Sequence, residues 1–98
     1  MFRELIQNHA LGNPVRLSIM LYLLPRERVL FRELVEILEI TSGNLDSHLK
    51  RLEKERYITT RKVIADRPRT VIEITDRGVE EVGRYLKLMK KLIENAES

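Results

Sequence analysis

Thr41-Ser42-Gly43-Asn44-Leu45-Asp46-Ser47-His48-Leu49-Lys50-Arg51-Leu52-Glu53-Lys54-Glu55 is the stretch whose reading decides the fold. Thr41 is a good N-cap, because its side-chain oxygen can accept from an amide of the first turn. Leu45, Leu49 and Leu52 recur at spacings of four and three, so one face of a helix from Ser42 must point into a core. Asn44, Ser47, Lys50, Arg51 and Lys54 take the outer positions. The surface left over is polar at the start of the helix and cationic further on.

Upstream, Phe31 leads into a shorter helix with Leu34, Val35, Leu38 and Ile37 inward and Arg32, Glu33, Glu36 and Glu39 outward. Ile40 to Gly43 leave room only for a tight connection. Two helices joined in this way, the second opening on small polar residues, describe a helix-turn-helix unit. Before it, Asn13 caps and Pro14 opens a helix carrying Leu17, Ile19, Met20, Leu21, Leu23 and Leu24, and Pro25 is expected to stop it. Val29 and Leu30 suit a short strand. Phe2, Leu5, Ile6 and His9 form a first amphipathic segment, with His9 expected beside Leu5.

Downstream of Arg56 the period changes from 3.6 to 2. Ile58, Thr60, Lys62 and Ile64 alternate with Thr59, Arg61 and Val63, and Thr70 to Ile74 alternate again beyond the turn at Asp66-Arg67-Pro68. This predicts a two-stranded hairpin with a charged tip. Thr75 or Asp76 caps a last long helix, on which Val79, Val82, Leu86, Met89 and Ile93 form one stripe and Tyr85, Leu88 and Leu92 another. A domain core uses one such stripe. Val82, Leu86, Met89 and Ile93, joined by Phe2, Leu5 and Ile6, are therefore expected to meet a second copy.

The chain has 98 residues, 43% apolar and 34% charged, and no cysteine. That size suits one domain, and the missing cysteine excludes thiolate catalysis, thiolate metal sites and disulfides. No apolar run approaches the ~20 residues of a membrane span, and no signal-peptide pattern opens the chain, so a soluble cytoplasmic protein is expected. The net charge is +3, yet residues 41 to 69 hold eight basic and four acidic side chains, while the remainder is nearly balanced. A positive stripe of this kind suits a polyanion. An enzyme is not expected: there is no glycine-rich phosphate loop, and Ser47 and His48, adjacent on a helix, point about 100° apart.

In aggregate the chain resembles the small transcriptional regulators of the winged helix-turn-helix superfamily, close to the ArsR-like and MarR-like repressors of the single-domain archaeal kind. The residues that carry the resemblance are Gly12-Asn13-Pro14-x-Arg16-Leu17-x-Ile19 and Phe31-x-Glu33-Leu34. Ser42 to Glu53, Tyr57-Ile58 and Ile74-Thr75-Asp76-x-Gly78 complete it. The expected fold is mainly α with a small β-hairpin. It divides into an N-terminal helix (1–9), a three-helix core (13–56), a wing (57–75) and a dimerisation helix (76–95).

The resemblance implies that the helix at 42–55 enters the major groove of double-stranded DNA and that the wing grips a minor groove or the backbone. Ser42, Asn44, Ser47, Lys50 and Arg51 would then read or anchor DNA: Asn44 can pair bidentately with adenine, and Ser47 with several base edges. Arg61, Lys62, Arg67 and Arg69 would serve the wing. Asp46 opposes phosphates and is expected to pair with Lys50. His48 is expected to be a half-buried structural histidine. The metal-sensing pattern of many ArsR-like repressors would fall near Leu34 to Leu38, where no cysteine stands, so neither metal nor cofactor is expected. The second apolar stripe of the last helix implies a homodimer, and a twofold dimer would select a palindromic operator; the alternative is a winged helix used for protein–protein or RNA binding without specific DNA readout.

Overall fold

The computed structural model describes residues 1–97. In chain order these form α1 (Phe2–Gln7), α2 (Pro14–Arg26), β1 (Arg28–Leu30), α3 (Phe31–Leu38) and α4 (Ser42–Lys54), followed by β2 (Ile58–Ile64), β3 (Pro68–Ile74) and α5 (Asp76–Glu97).

Local chemistry explains the boundaries. Asn13 Oδ1 accepts from the amides of Val15 and Arg16 at 2.9 and 3.1 Å, and Pro14 follows as the first helical residue. Thr41 Oγ1 accepts from the Asn44 amide at 3.1 Å and so starts α4. At α5 the cap is Thr75, whose Oγ1 accepts from the Gly78 amide at 3.0 Å. Pro25 does not stop α2; it lies inside the last turn, and the helix ends where Glu27 turns to φ 70°. The reason is position. A proline at 25 removes only the bond to the Leu21 carbonyl, and Leu21 is on the exposed side of the helix, where solvent can satisfy it.

Leu45, Leu49 and Leu52 of α4 are buried, as their spacing predicts, against Ile19, Met20 and Leu23 of α2 and Leu34 of α3. Ile37, expected inward, is exposed on α3. The alternating stretches do pair as a hairpin, with Ile58 opposite Ile74 and Ile64 opposite Pro68. The sheet has a third strand as well: β1 pairs antiparallel with β3, Val29 facing Ile72, so β3 is central. Its inner residues Ile58 and Ile72 close the core from below.

The helix α5 is seated by close backbone contact. Gly78 is buried, and a Cβ there would overlap the carbonyl oxygen of Tyr57 and crowd Ile74 and Met20. The Thr75 amide donates to the Tyr57 carbonyl at 3.0 Å and the Thr75 hydroxyl to the Arg56 carbonyl at 2.6 Å. Arg77 Nε donates to the Glu55 carbonyl at 3.0 Å. These bonds lock the start of α5 onto the end of α4.

Val82, expected on an outer stripe, is 0% exposed within the chain's own core and presents nothing to a partner. It stands one helical turn from Gly78, on the face pressed against α2. Leu5, Leu86 and Met89 are half-buried against the same core, whereas Phe2, Ile6 and Ile93 are 67%, 68% and 54% exposed. The fully buried residues of α5 are Gly78, Val82 and Tyr85, all in its first half.

Candidate nucleic-acid interface

The outer face of α4 and the wing formed by β2 and β3 enclose a groove of about 510 Å³. Lys50, Arg61 and Lys62 line it together with Asp46 and Glu53. Cations far apart in sequence thus meet in one concavity. The wing is tied to the helix by the Thr60 hydroxyl, which donates to Glu53 Oε2 at 3.0 Å.

On α4, Ser42 and Asn44 are exposed in the first turn. The Asn44 amide serves the Thr41 cap, which leaves its carboxamide on the surface. Ser47 is also exposed, and its hydroxyl donates to the Gly43 carbonyl at 3.2 Å. With that proton engaged, Ser47 offers acceptor lone pairs outward. Lys50 Nζ pairs with Asp46 Oδ2 at 3.0 Å, the pairing expected from their spacing.

Arg51 is placed elsewhere. It pairs with Glu55 at 3.6 Å and lines a separate groove of about 430 Å³ between α1 and α5, together with Glu4, Glu81 and Arg84. Consecutive helical residues diverge by about 100°, so Arg51 cannot share the face of Lys50. Arg67 is exposed at the wing tip, and Arg69, half-buried, is bonded to Asp66 at 3.2–3.4 Å. That guanidinium holds the Asp66 carboxyl below its ordinary pKa.

His48 is half-buried on the flank of α4, and its Nδ1 lies 3.1 Å from Arg16 Nη1. A guanidinium only donates, so Nδ1 accepts and the ring is neutral with its proton on Nε2. Burial first, and the Arg16 charge second, push its pKa below the ordinary value. Arg16 also donates to the carbonyls of Ala10 and His9 at 2.8 and 3.1 Å, pinning the α1–α2 connection to α4. This role of Arg16 escaped periodicity, which marks apolar faces and passes over cations that bond to backbone. His9 itself is exposed, although it lines a shallow groove with Leu5. Among the described residues, no helix is long and apolar enough to cross a membrane.

A three-helix core whose second and third helices make a tight turn, followed by a basic hairpin, is a winged helix, the architecture of a DNA-binding regulator. The model of the winged helix DNA-binding domain family matches residues 15–93, and the chain belongs to that family, which is not enzymatic. It is similar to the structure of a transcriptional regulator homologue protein from Pyrococcus horikoshii OT3, with 49% identity, a TM-score of 0.95 and coverage of 99% of this chain and 97% of the other. An uncharacterised protein of Methanocaldococcus jannaschii is 38% identical over 84 residues, 85% of this chain and 91% of the relative. An ArsR family transcriptional regulator shares the fold at 24% identity and a TM-score of 0.62, with 95% of this chain and 96% of that one covered.

Proposed function

We propose that the chain, acting as one unit over its whole length, is a homodimeric transcriptional regulator that binds a palindromic double-stranded DNA site. In this reading α4 lies in the major groove, with Ser42, Asn44 and Ser47 toward base edges and Lys50 toward guanine or phosphate. Arg61, Lys62, Arg67 and Arg69 hold the backbone or a narrow minor groove from the wing. The observation that carries this is the shared groove: Lys50 from the helix and Arg61 and Lys62 from the wing line one concavity beside the exposed first turn of α4. A regulator of this kind works in the cytoplasm, beside the chromosome.

Dimerisation is supported by the apolar side chains left uncovered on α1 and α5, Phe2, Ile6 and Ile93, with half-buried Leu5, Leu86 and Met89 beside them. A twofold axis there sets two copies of α4 about one DNA turn, ~34 Å, apart and selects a palindrome.

Selection of bound duplexes from a randomised pool by the purified protein tests the reading. A palindromic motif is expected, and Asn44→Ala relaxes one position in each half-site by about 1–3 kcal/mol while the protein stays folded. A pool that emerges without any sequence preference overturns specific readout.

A further inference from the structure

Arg16 lines neither the groove between α4 and the wing nor the groove that holds Arg51, yet it makes three bonds to two other parts of the chain. Its Nε and Nη2 edge clamps the successive carbonyls of Ala10 and His9, at 2.8 and 3.1 Å, and leaves Nη1 to donate to His48 Nδ1 at 3.1 Å. A planar guanidinium gripped along one edge cannot swivel, so the direction of the third bond is fixed.

On α4 that bond falls where orientation matters. Ser47 bonds locally to the Gly43 carbonyl, and the Asn44 amide bonds to Thr41. Among the described residues, His48 is the one side chain between Ser42 and Leu49 that hydrogen-bonds to another element. It stands one turn beyond Asn44 and next to Ser47, both on the exposed face. Leu45 and Leu49 hold this half of the helix to the core, but apolar burial has no direction of its own. A hydrogen bond weakens steeply as its angle closes, and a reading side chain must be held to within about 0.5 Å and 10–20°. The far half has a polar tie of its own, from Glu53 to Thr60 of the wing.

We propose that Arg16 is a positioning residue for α4: acting through His48, it fixes the rotation of the helix that carries Asn44 and Ser47, and so sets how sharply the protein tells one DNA sequence from another. The proposal rests on the DNA-binding reading, and Arg16 itself touches no DNA in it. A dependence on protons follows. Nδ1 accepts only while it carries no proton, and a proton there removes the bond and adds a third cation beside Arg16 and Arg51. Of the charged groups around the pair, Arg51 is engaged by Glu55 at 3.6 Å. The α1–α2 connection turns carbonyls toward Arg16, and the His9 side chain is exposed. Burial and the Arg16 charge both disfavour the protonated ring, so the bond holds at neutral pH and is lost on the acid side.

The test is the ratio of affinities for a duplex selected from the randomised pool and for an unselected one, read by fluorescence anisotropy with the intact protein. Effects of charge alone cancel in this ratio, because both duplexes present the same phosphates. His48→Leu leaves Arg16 its carbonyls but no acceptor on α4. It is expected to cut the ratio about tenfold, the scale of one hydrogen bond from a charged donor. Arg16→Lys keeps the charge but offers one nitrogen in place of the clamp, and should cut the ratio likewise. His48→Asn, whose Oδ1 takes the place of Nδ1 and does not titrate, is expected to keep it. In the unsubstituted protein the ratio should decline between about pH 7 and 5, and in His48→Asn it should stay level. If His48→Leu keeps the full ratio, or if His48→Asn declines with acid as the unsubstituted protein does, Arg16 positions nothing and the DNA reading stands. If no duplex is preferred over any other, specific readout and this proposal fall together.

Discussion

Gly78 shows what a single hydrogen atom in place of a methyl group allows. The helix α5 rests directly on the Tyr57 carbonyl, and no side chain fits between them. Gly78→Ala is expected to destabilise the fold by about 1–3 kcal/mol, the range for overpacking a tight core, measured as a shift of the urea midpoint. An unchanged midpoint would contradict that contact. His48 gives a pH-dependent counterpart. Its folded pKa is lowered, by burial first and by Arg16 second, so near and below the ordinary value of 6.5 the unfolded chain binds more protons than the folded one. This contribution to stability is complete above about 6.5 and declines as the pH falls through that value toward the folded pKa. His48→Gln keeps an acceptor for Arg16 but does not titrate, so denaturation midpoints measured on the acid side of neutrality should flatten.

At the scale of elements, what could be read from the sequence followed the strength of its patterns. The leucines of α4, the alternation in β2 and β3 and the caps at Asn13 and Thr41 are local signals, and the structure places each as read. The residues that the structure places differently depend on neighbours distant in the chain. Val82 looked like part of an outer stripe because two stripes on α5 are equivalent until α2 chooses one. Arg51 looked like a companion of Lys50 until α1 and α5 supplied the acidic groove it faces. Pro25 looked like a stop because composition does not say which carbonyl loses its partner. The turn between α3 and α4 yields a prediction of its own. Glu39 closes α3 in the left-handed region at φ 54°, a conformation that costs a non-glycine residue about 1–2 kcal/mol. After glycine's greater unfolded entropy is subtracted, Glu39→Gly is expected to stabilise the protein by roughly 0.5–1 kcal/mol in thermal or chemical unfolding.

The whole molecule is elongated, 54 × 26 × 21 Å, with the second half of α5 touching the core only through half-buried Met89. On the proposed dimer this half is the natural meeting surface. Ile93→Glu places a charge there without entering the core, so sedimentation is expected to report monomers whose circular dichroism is unchanged. A dimer that survives this substitution would move the interface elsewhere. Operator affinity should fall together with dimerisation, because each half-site would then be held alone.

The bonds from Thr75 and Arg77 to the last carbonyls around α4, with the glycine contact at Tyr57, make a stiff joint between α4 and α5, which on the proposed dimer are the helix that reads DNA and the helix that meets the second copy. A stiff joint turns the paired molecule into a caliper with fixed jaws. One base pair inserted between the half-sites turns the far half by about 35° around the duplex axis, which such a caliper cannot follow. Operators bound by the proposed dimer should therefore hold their spacer length constant even where the spacer's letters vary freely.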